Sequence, residues 1–251
     1  MAFFKLARSR PDKTAKRLIG MLREHLGPDY DLKTHFTPRY NPWDQRLCLV
    51  PDADMFDAIK AGKAEVVTDT IESFTETGLK LTSGRTLDAD VIVTATGLKL
   101  QLLSGMAVTV DGQPVEMAKT MAYKGMMYSG VPNMASWFGY TNASRTLKAD
   151  LTSEYVCRLL NYMKANGTDI AVPQREAGVQ ELPWFDFNSG YVQRAIDSLP
   201  RQGDRKPWRL YQNYALDMMT LRYGDIDDGT MKFAKASGAL GHQEPLREAA
   251  E

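Results

Sequence analysis

None of the 19 glycines in this 251-residue chain stands two residues from another, so the pattern G-x-G does not occur. A dinucleotide-binding βαβ unit needs that spacing. One glycine makes its tight turn and the next lets the backbone approach the pyrophosphate. The lysine-ended phosphate loop of nucleotide hydrolases is missing as well. The chain cannot make the usual glycine-rich cradle for a phosphate.

Periodicity shows what the chain can build. Residues 12–26 predict an amphipathic helix, with Leu18, Met21, Leu22 and Leu26 near one face and Gly27-Pro28 as its stop. Pro38 and Pro42 interrupt residues 35–48 (HFTPRYNPWDQRLC), which predicts a loop that enters a strand or helix near Cys48. A short helix is expected from Asp54 to Lys60. The runs 64–69, 70–76, 79–84 and 90–97 are β-rich, with turn signals at Thr77-Gly78 and Ser83-Gly84. Val91 to Thr94 is apolar and β-branched, as a doubly buried strand would be, and it stops at Ala95-Thr96-Gly97. More short strands are expected over 98–142, with Asp111-Gly112 as a hairpin turn. A long helix is predicted from Thr146 to Ala165. Leu147, Leu151, Tyr155, Leu159 and Met163 recur every four residues along it, and Asn166-Gly167 ends it. Residues 168–188 read as loop, Tyr191 to Leu199 and Trp208 to Tyr223 as helices, and the tail from Ser237 as frayed.

Composition removes several function classes. Lys plus Arg and Asp plus Glu both total 31, which gives no electrostatic reason to expect nucleic acid or an anionic membrane. Cys48 and Cys157 form no CxxC, which argues against a disulfide framework or a zinc site and for a reducing, cytoplasmic setting. His25, His35 and His242 are too scattered for a metal cluster. No stretch approaches a membrane span, and Met1 to Lys5 is too short for a signal-peptide core.

Three segments could carry chemistry. The turn Ala95-Thr96-Gly97 lets backbone approach a ligand, although many strands simply end in glycine. Gly139 to Thr146 opens the long helix, where free N–H groups suit an electron-rich atom. Its bland alternative is an ordinary helix capped by Asn142 or Ser144. Arg39 to Arg46 interleaves arginine with Tyr40 and Trp43. It could hold an anion by charge and stacking, or form a surface loop pinned by two aromatics. Trp184-Phe185-Asp186-Phe187 and Pro207-Trp208 read as packing anchors, the 13 methionines as core filler, and Asp227-Asp228 as a solvated turn. No serine or cysteine nucleophile has an evident base.

Taken together, HFTPRYNPWDQRLC, LDADVIVTATG, YKGMM, VPN and GYTNAS with TLKADL follow the order seen in flavin-dependent monooxygenases of the Baeyer–Villiger type. The chain resembles the C-terminal portion of that family, nearest its ethionamide-activating subgroup. The match runs from about His35 to about Leu160 and continues more weakly through Trp208, Tyr214 and Met231. The resemblance implies an α/β fold: the C-terminal part of a flavoprotein with two Rossmann-like dinucleotide-binding domains, a β-meander segment and C-terminal helices. Residues 1–97 would end the NADPH-binding domain, and 98–251 would be the C-terminal part of the FAD-binding domain. It implies FAD and NADPH as cofactors and a small-molecule ketone, or a sulfur or nitrogen centre, as substrate.

By the same resemblance Arg46 is the catalytic arginine, whose permanent charge stabilises developing negative charge on oxygen. Gln45 contacts the nicotinamide cofactor. Thr96 and Gly97 lie in the linker between the domains. Asn142, Ser144, Arg145 and Thr146 match the helix start that faces the flavin's pyrimidine edge. Two departures stand out. The family's two GxGxxG motifs are absent, so the chain is expected to be a fragment or a decayed gene product, with a missing N-terminal half that another chain could supply. Arg145 also stands where the subgroup has tryptophan. The alternatives are a catalytically silent remnant acting as an interaction protein or subunit, and a different two-dinucleotide flavoprotein such as an N-hydroxylase.

Overall fold

Pro11 stands at the first position of a helix, where its missing N–H is no loss, and Gly27 at φ 95° ends that helix in a conformation a side chain resists. The computed structural model, which describes residues 2–236, begins with α1 (Ala2–Ser9) and this helix, α2 (Pro11–Leu26). The single turn α3 (Leu32–His35) follows, with the Asp31 carboxylate accepting from the Thr34 N–H at 3.1 Å. In α4 (Asp54–Lys60), Asp54 and Asp57 lie in the first turn and Lys60 in the last, as the helix dipole favours. An antiparallel meander comes next: β1 (Ile71–Phe74), β2 (Gly78–Leu81) and β3 (Thr86–Asp88). Only glycine fits at 78, because an added Cβ would collide with the Leu87 carbonyl.

The hairpin β4 (Thr109–Val110) and β5 (Gln113–Pro114) turns on Asp111 and Gly112, both at positive φ, as a two-residue turn of this kind requires. A second hairpin, β6 (Ala122–Tyr123) and β7 (Met127–Tyr128), carries Lys124 at its tip. Then come α5 (Arg145–Asn166), β8 (Ile170–Pro173), β9 (Glu181–Pro183), α6 (Gly190–Gln193), β10 (Arg201–Gly203), α7 (Tyr214–Leu221) and β11 (Met231–Ala234). Gly167 in the left-handed region closes α5. β11 pairs with β8 and β10 with β9, and every pair of named strands among the described residues is antiparallel.

The chain divides into two compact units. One is Met1–Lys99 with Phe187–Gln193, and the other is Leu100–Asp186 with Arg194–Glu251. The core of the second joins Met121, Tyr123 and Met127 of its hairpin to Leu151, Tyr155 and Leu159 of α5, with Trp208 fully buried among them.

Several expectations are corrected. Residues 64–69 and Val91 to Thr94 form no strand. Val91 and Val93 are 77% and 83% exposed, because no described strand offers them a ladder. The loop through Cys48 enters helical structure only at Pro51, where a 3-10 turn (Pro51–Ala53) leads into α4. The supposed loop 168–188 holds β8 and β9. The helix expected over 191–199 shrinks to α6 and a 3-10 turn at Ile196–Ser198. The helix expected from Trp208 begins only at Tyr214, since Gln212 takes φ 49° and Asn213 caps the N–H groups of Ala215 and Leu216. On α5, Leu147 lies outside the buried stripe, where Lys148 is buried instead. The tail from Ser237 lies outside the described residues.

Candidate functional site

The second unit holds an open cleft of about 520 Å3 whose wall is built on two lysine–aspartate pairs. The β6–β7 turn supplies Lys124, the first turn of α5 supplies Lys148, α7 supplies Asp217, and the loop before β11 supplies Asp228. Lys124 Nζ lies 3.0 Å from Asp228 Oδ2 and also donates to the Tyr155 hydroxyl and the Asp225 carbonyl at 3.4 and 3.3 Å. Asp228 Oδ2 accepts from the Tyr123 hydroxyl at 2.6 Å, and its Oδ1 accepts from the N–H groups of Thr230 and Met231. The second pair repeats the pattern. Lys148 Nζ lies 3.0 Å from Asp217 Oδ2, which accepts from the Tyr140 hydroxyl at 2.6 Å.

Burial alone disfavours every charge here, and the partners decide the outcome. Lys124 and Lys148 sit below the usual lysine range because burial outweighs the pull of their aspartates. Burial would raise the Asp228 carboxyl, but the Tyr123 hydroxyl and Lys124 overcome it and hold it below the usual range. Burial, with a neighbouring carboxylate, raises Tyr123 and Tyr140 well above an ordinary phenol, and Tyr155 is pushed up to about 12.

A phenol raised above its unfolded value of 10.0 adds stability that is complete below pH 10 and is lost as pH rises through the folded value. The second unit is therefore expected to loosen between pH 10 and about 12. Tyrosinate absorbance of the folded chain at pH 10.5 should fall short of the same chain in denaturant by the share of the five raised phenols, these three with Tyr128 and Tyr162, among the 11 tyrosines. Equal absorbance would mean that the cavity wall is hydrated.

The residues singled out from the sequence fall into the two units. In the first, Gln45 is half-buried and bridges to Pro42, while Arg46 is exposed, with no hydrogen bond or ion pair to its guanidinium among the described residues. Trp43 is anchored edge-on against Phe4, and Asp44 pairs with Arg8 at 2.9 Å. Thr96 and Gly97 are exposed, with Gly97 at φ 106°.

In the second unit, Asn142 Nδ2 donates to the Gln212 carbonyl at 3.0 Å, and its Oδ1 is buried without a partner. Ser144 is the N-cap of α5, but its hydroxyl meets Thr146 Oγ1 at 2.7 Å instead of capping a backbone N–H. The ordinary side-chain cap considered for this helix is thus absent. Arg145 is exposed, and its Cβ packs so closely on Gly139 that any side chain at 139 would collide with it.

Sequence reading missed the lysine–aspartate pairs. Asp227 and Asp228 are exposed, as expected of a solvated segment, but Asp228 also pairs with Lys124, and Asp227 accepts from the Tyr162 hydroxyl. One signal was available: Asp217 interrupts the otherwise apolar run YALDMMTL, and a charge placed there needs a counter-ion.

No family profile matches the chain. The FAD-containing monooxygenase EthA of Mycobacterium tuberculosis (strain ATCC 25618 / H37Rv) is 55% identical over 241 residues, 96% of this chain and 49% of that protein. The EthA of Mycolicibacterium smegmatis is 55% identical over 95% of the chain and 49% of its own length. The probable FAD-binding monooxygenase AlmA of Acinetobacter baylyi is 46% identical over 94% and 48%. The chain thus spans about half the length of the curated relatives it matches. Its fold resembles the crystal structure of OTEMO in an FAD-bound form, with a TM-score of 0.53 at 20% identity over 64% of this chain and 32% of that one. By sequence, the chain is similar to FAD-containing monooxygenases over about half of their length. No helix among the described residues is long and apolar enough to cross a membrane.

Proposed function

We propose that this chain is the C-terminal portion of a cytoplasmic FAD- and NADPH-dependent monooxygenase that inserts oxygen beside a ketone or oxidises a sulfur or nitrogen centre. The observation that carries the reading is the 55% identity to FAD-containing monooxygenases across 96% of the chain. Residues 1–97 then close an NADPH-binding domain and 98–251 belong to an FAD-binding one. The glycine turns absent here come from an N-terminal half.

The start of α5 suits FAD. The unpartnered Asn142 Oδ1 offers an acceptor to a ring N–H, and first-turn N–H groups left uncapped by Ser144 offer donors to a ring carbonyl. Arg145 and Thr146 flank that edge, and Gln45, Thr96 and Gly97 serve the nicotinamide cofactor and the linker. When bound, reduced FAD supplies the activation of dioxygen. Arg46 holds a permanent positive charge with no hydrogen-bond or ion-pair partner among the described residues, free to stabilise negative charge that develops on oxygen.

The test joins this chain to the N-terminal half of the M. tuberculosis relative and compares Arg46→Ala with the parent. Oxygenated product is expected to fall about 100-fold or more, as for loss of an anion-stabilising group, while NADPH consumption continues. Product formed at the parent rate would remove Arg46 from the mechanism. No flavin bound by the joined parent protein would remove the proposal itself.

A further inference from the structure

The two ion pairs in the cavity wall differ in one respect. In the Lys124–Asp228 pair every donor and both carboxylate oxygens are used: Lys124 Nζ has three partners, and each oxygen of Asp228 accepts from described residues. The Lys148–Asp217 pair is open. Among the described residues Lys148 Nζ meets Asp217 Oδ2, the Lys124 carbonyl at 3.3 Å and the face of the Tyr140 ring at 5.9 Å, which leaves one N–H without an oxygen acceptor. Asp217 Oδ1 accepts from no described residue. Lys148 and Asp217 both line the cavity, and the lysine side chain is only 7% exposed. One buried donor and one acceptor thus stand side by side at the wall of a space sized for a small molecule.

The charge of the cavity narrows the ligand. Four basic and four acidic side chains line it, so neither an anion nor a cation gains from the surrounding field. The rest of the wall includes aromatic surface from Phe138, Tyr140, Trp184 and Tyr211. A neutral group that offers a carbonyl oxygen and an N–H in adjacent positions, on a flat apolar body, satisfies every one of these features. An anion would face Asp217, and a cation would face Lys148, each at a desolvated site where like-charge contact is unfavourable.

We infer that the Lys148–Asp217 pair is a binding site for a neutral primary carboxamide or lactam, with the ligand carbonyl accepting from Lys148 and its N–H donating to Asp217 Oδ1. The inference does not depend on the monooxygenase reading. The cavity lies wholly in the second unit, and its test uses this chain alone, without FAD.

Three near-isosteric probes test it by calorimetric titration of the 251-residue chain: benzamide, benzoate and benzylamine. Benzamide is expected to bind saturably, and the charged probes at least about tenfold more weakly, since each leaves one half of the pair unsatisfied. Asp217→Asn should weaken benzamide by a similar factor. Leu216→Trp, which adds bulk at a lining residue beside Asp217, should abolish binding while the circular dichroism melt stays cooperative. If Asp217→Asn fails to fold, Leu216→Trp decides. Nicotinamide mononucleotide is added in competition: displacement of benzamide marks a nicotinamide cofactor as the source of the amide, no displacement marks an amide substrate, and either result upholds the site. No benzamide binding to the parent, equal binding of benzoate or benzylamine, or undiminished binding to Leu216→Trp would overturn the inference.

Discussion

Replacing Trp208 by alanine is expected to destabilise the second unit by about 3 kcal/mol, near the lower end of the range for a buried tryptophan. Trp208 is fully buried, meets Tyr123 edge-to-face at 5.7 Å, and packs against Gly203 so tightly that a methyl group there would strike it. Losing that surface and leaving a void sets the size of the loss. The lower end follows from the indole Nε1, which is buried with no partner, so that truncation also removes an unsatisfied donor. Trp208→Phe should therefore lose much less than the alanine variant, because it keeps most of the volume and discards the orphan N–H. Urea midpoints followed by circular dichroism measure both. Equal losses for the two would show that the indole nitrogen is hydrated.

Asp228→Ala should cost about 1–3 kcal/mol at neutral pH, since it leaves the Lys124 charge without its carboxylate. The loss is smaller than for a fully buried pair because Asp228 is itself exposed. The Lys124 side chain is 8% exposed, and Tyr123 would lose its strongest acceptor. Lys124 already sits below its ordinary range through burial, and removing the carboxylate takes away what raises it. A lysine whose folded pKa is depressed destabilises while it must carry charge, and that deficit is relieved as pH rises from the folded value toward the unfolded 10.5. The variant's deficit should accordingly shrink between neutral pH and pH 10. Lys124→Met combined with Asp228→Leu should recover much of the loss, since replacing both members leaves no stranded charge. A deficit that is flat with pH, or a double variant as weak as the single one, would mean that the pair is solvated.

The helices were legible in the sequence to the extent that local signals fix them. α4 needed only its dipole-matched acids and lysine, and α5 its four-residue periodicity and its glycine stop. The strands were less legible, because a β-branched run becomes a strand only where another strand meets it. Val91 to Thr94 has the composition of a buried strand and no partner among the described residues. β8 and β9 are short, end in proline, and form only through distant mates at β11 and β10. The cavity wall was the least legible part. Tyr123 meets Asp228 across 105 residues, and Tyr140 meets Asp217 across 77, so no local pattern could announce either contact. Lys124 and Lys148 stand in the motifs YKGMM and TLKADL, whose order along the chain says nothing of these pairings.

The seven residues Phe187–Gln193 belong to the first unit, although their neighbours on both sides belong to the second. Within the first unit the Asn188 N–H donates to the Asp44 carbonyl at 2.9 Å, one residue from Gln45 and two from Arg46. The chain therefore crosses between units three times, and its two halves are not separable genes. A clone that stops at Lys99 would make the arginine loop without the strip that ties down Asp44, and a clone that starts at Leu100 would carry that strip with nothing to hold. Any chimera that exchanges the first unit between relatives has to transplant 187–193 as well. Recombination with a single crossover near residue 99 is expected to yield poorly folded products, whereas a double exchange that includes this strip keeps the loop intact.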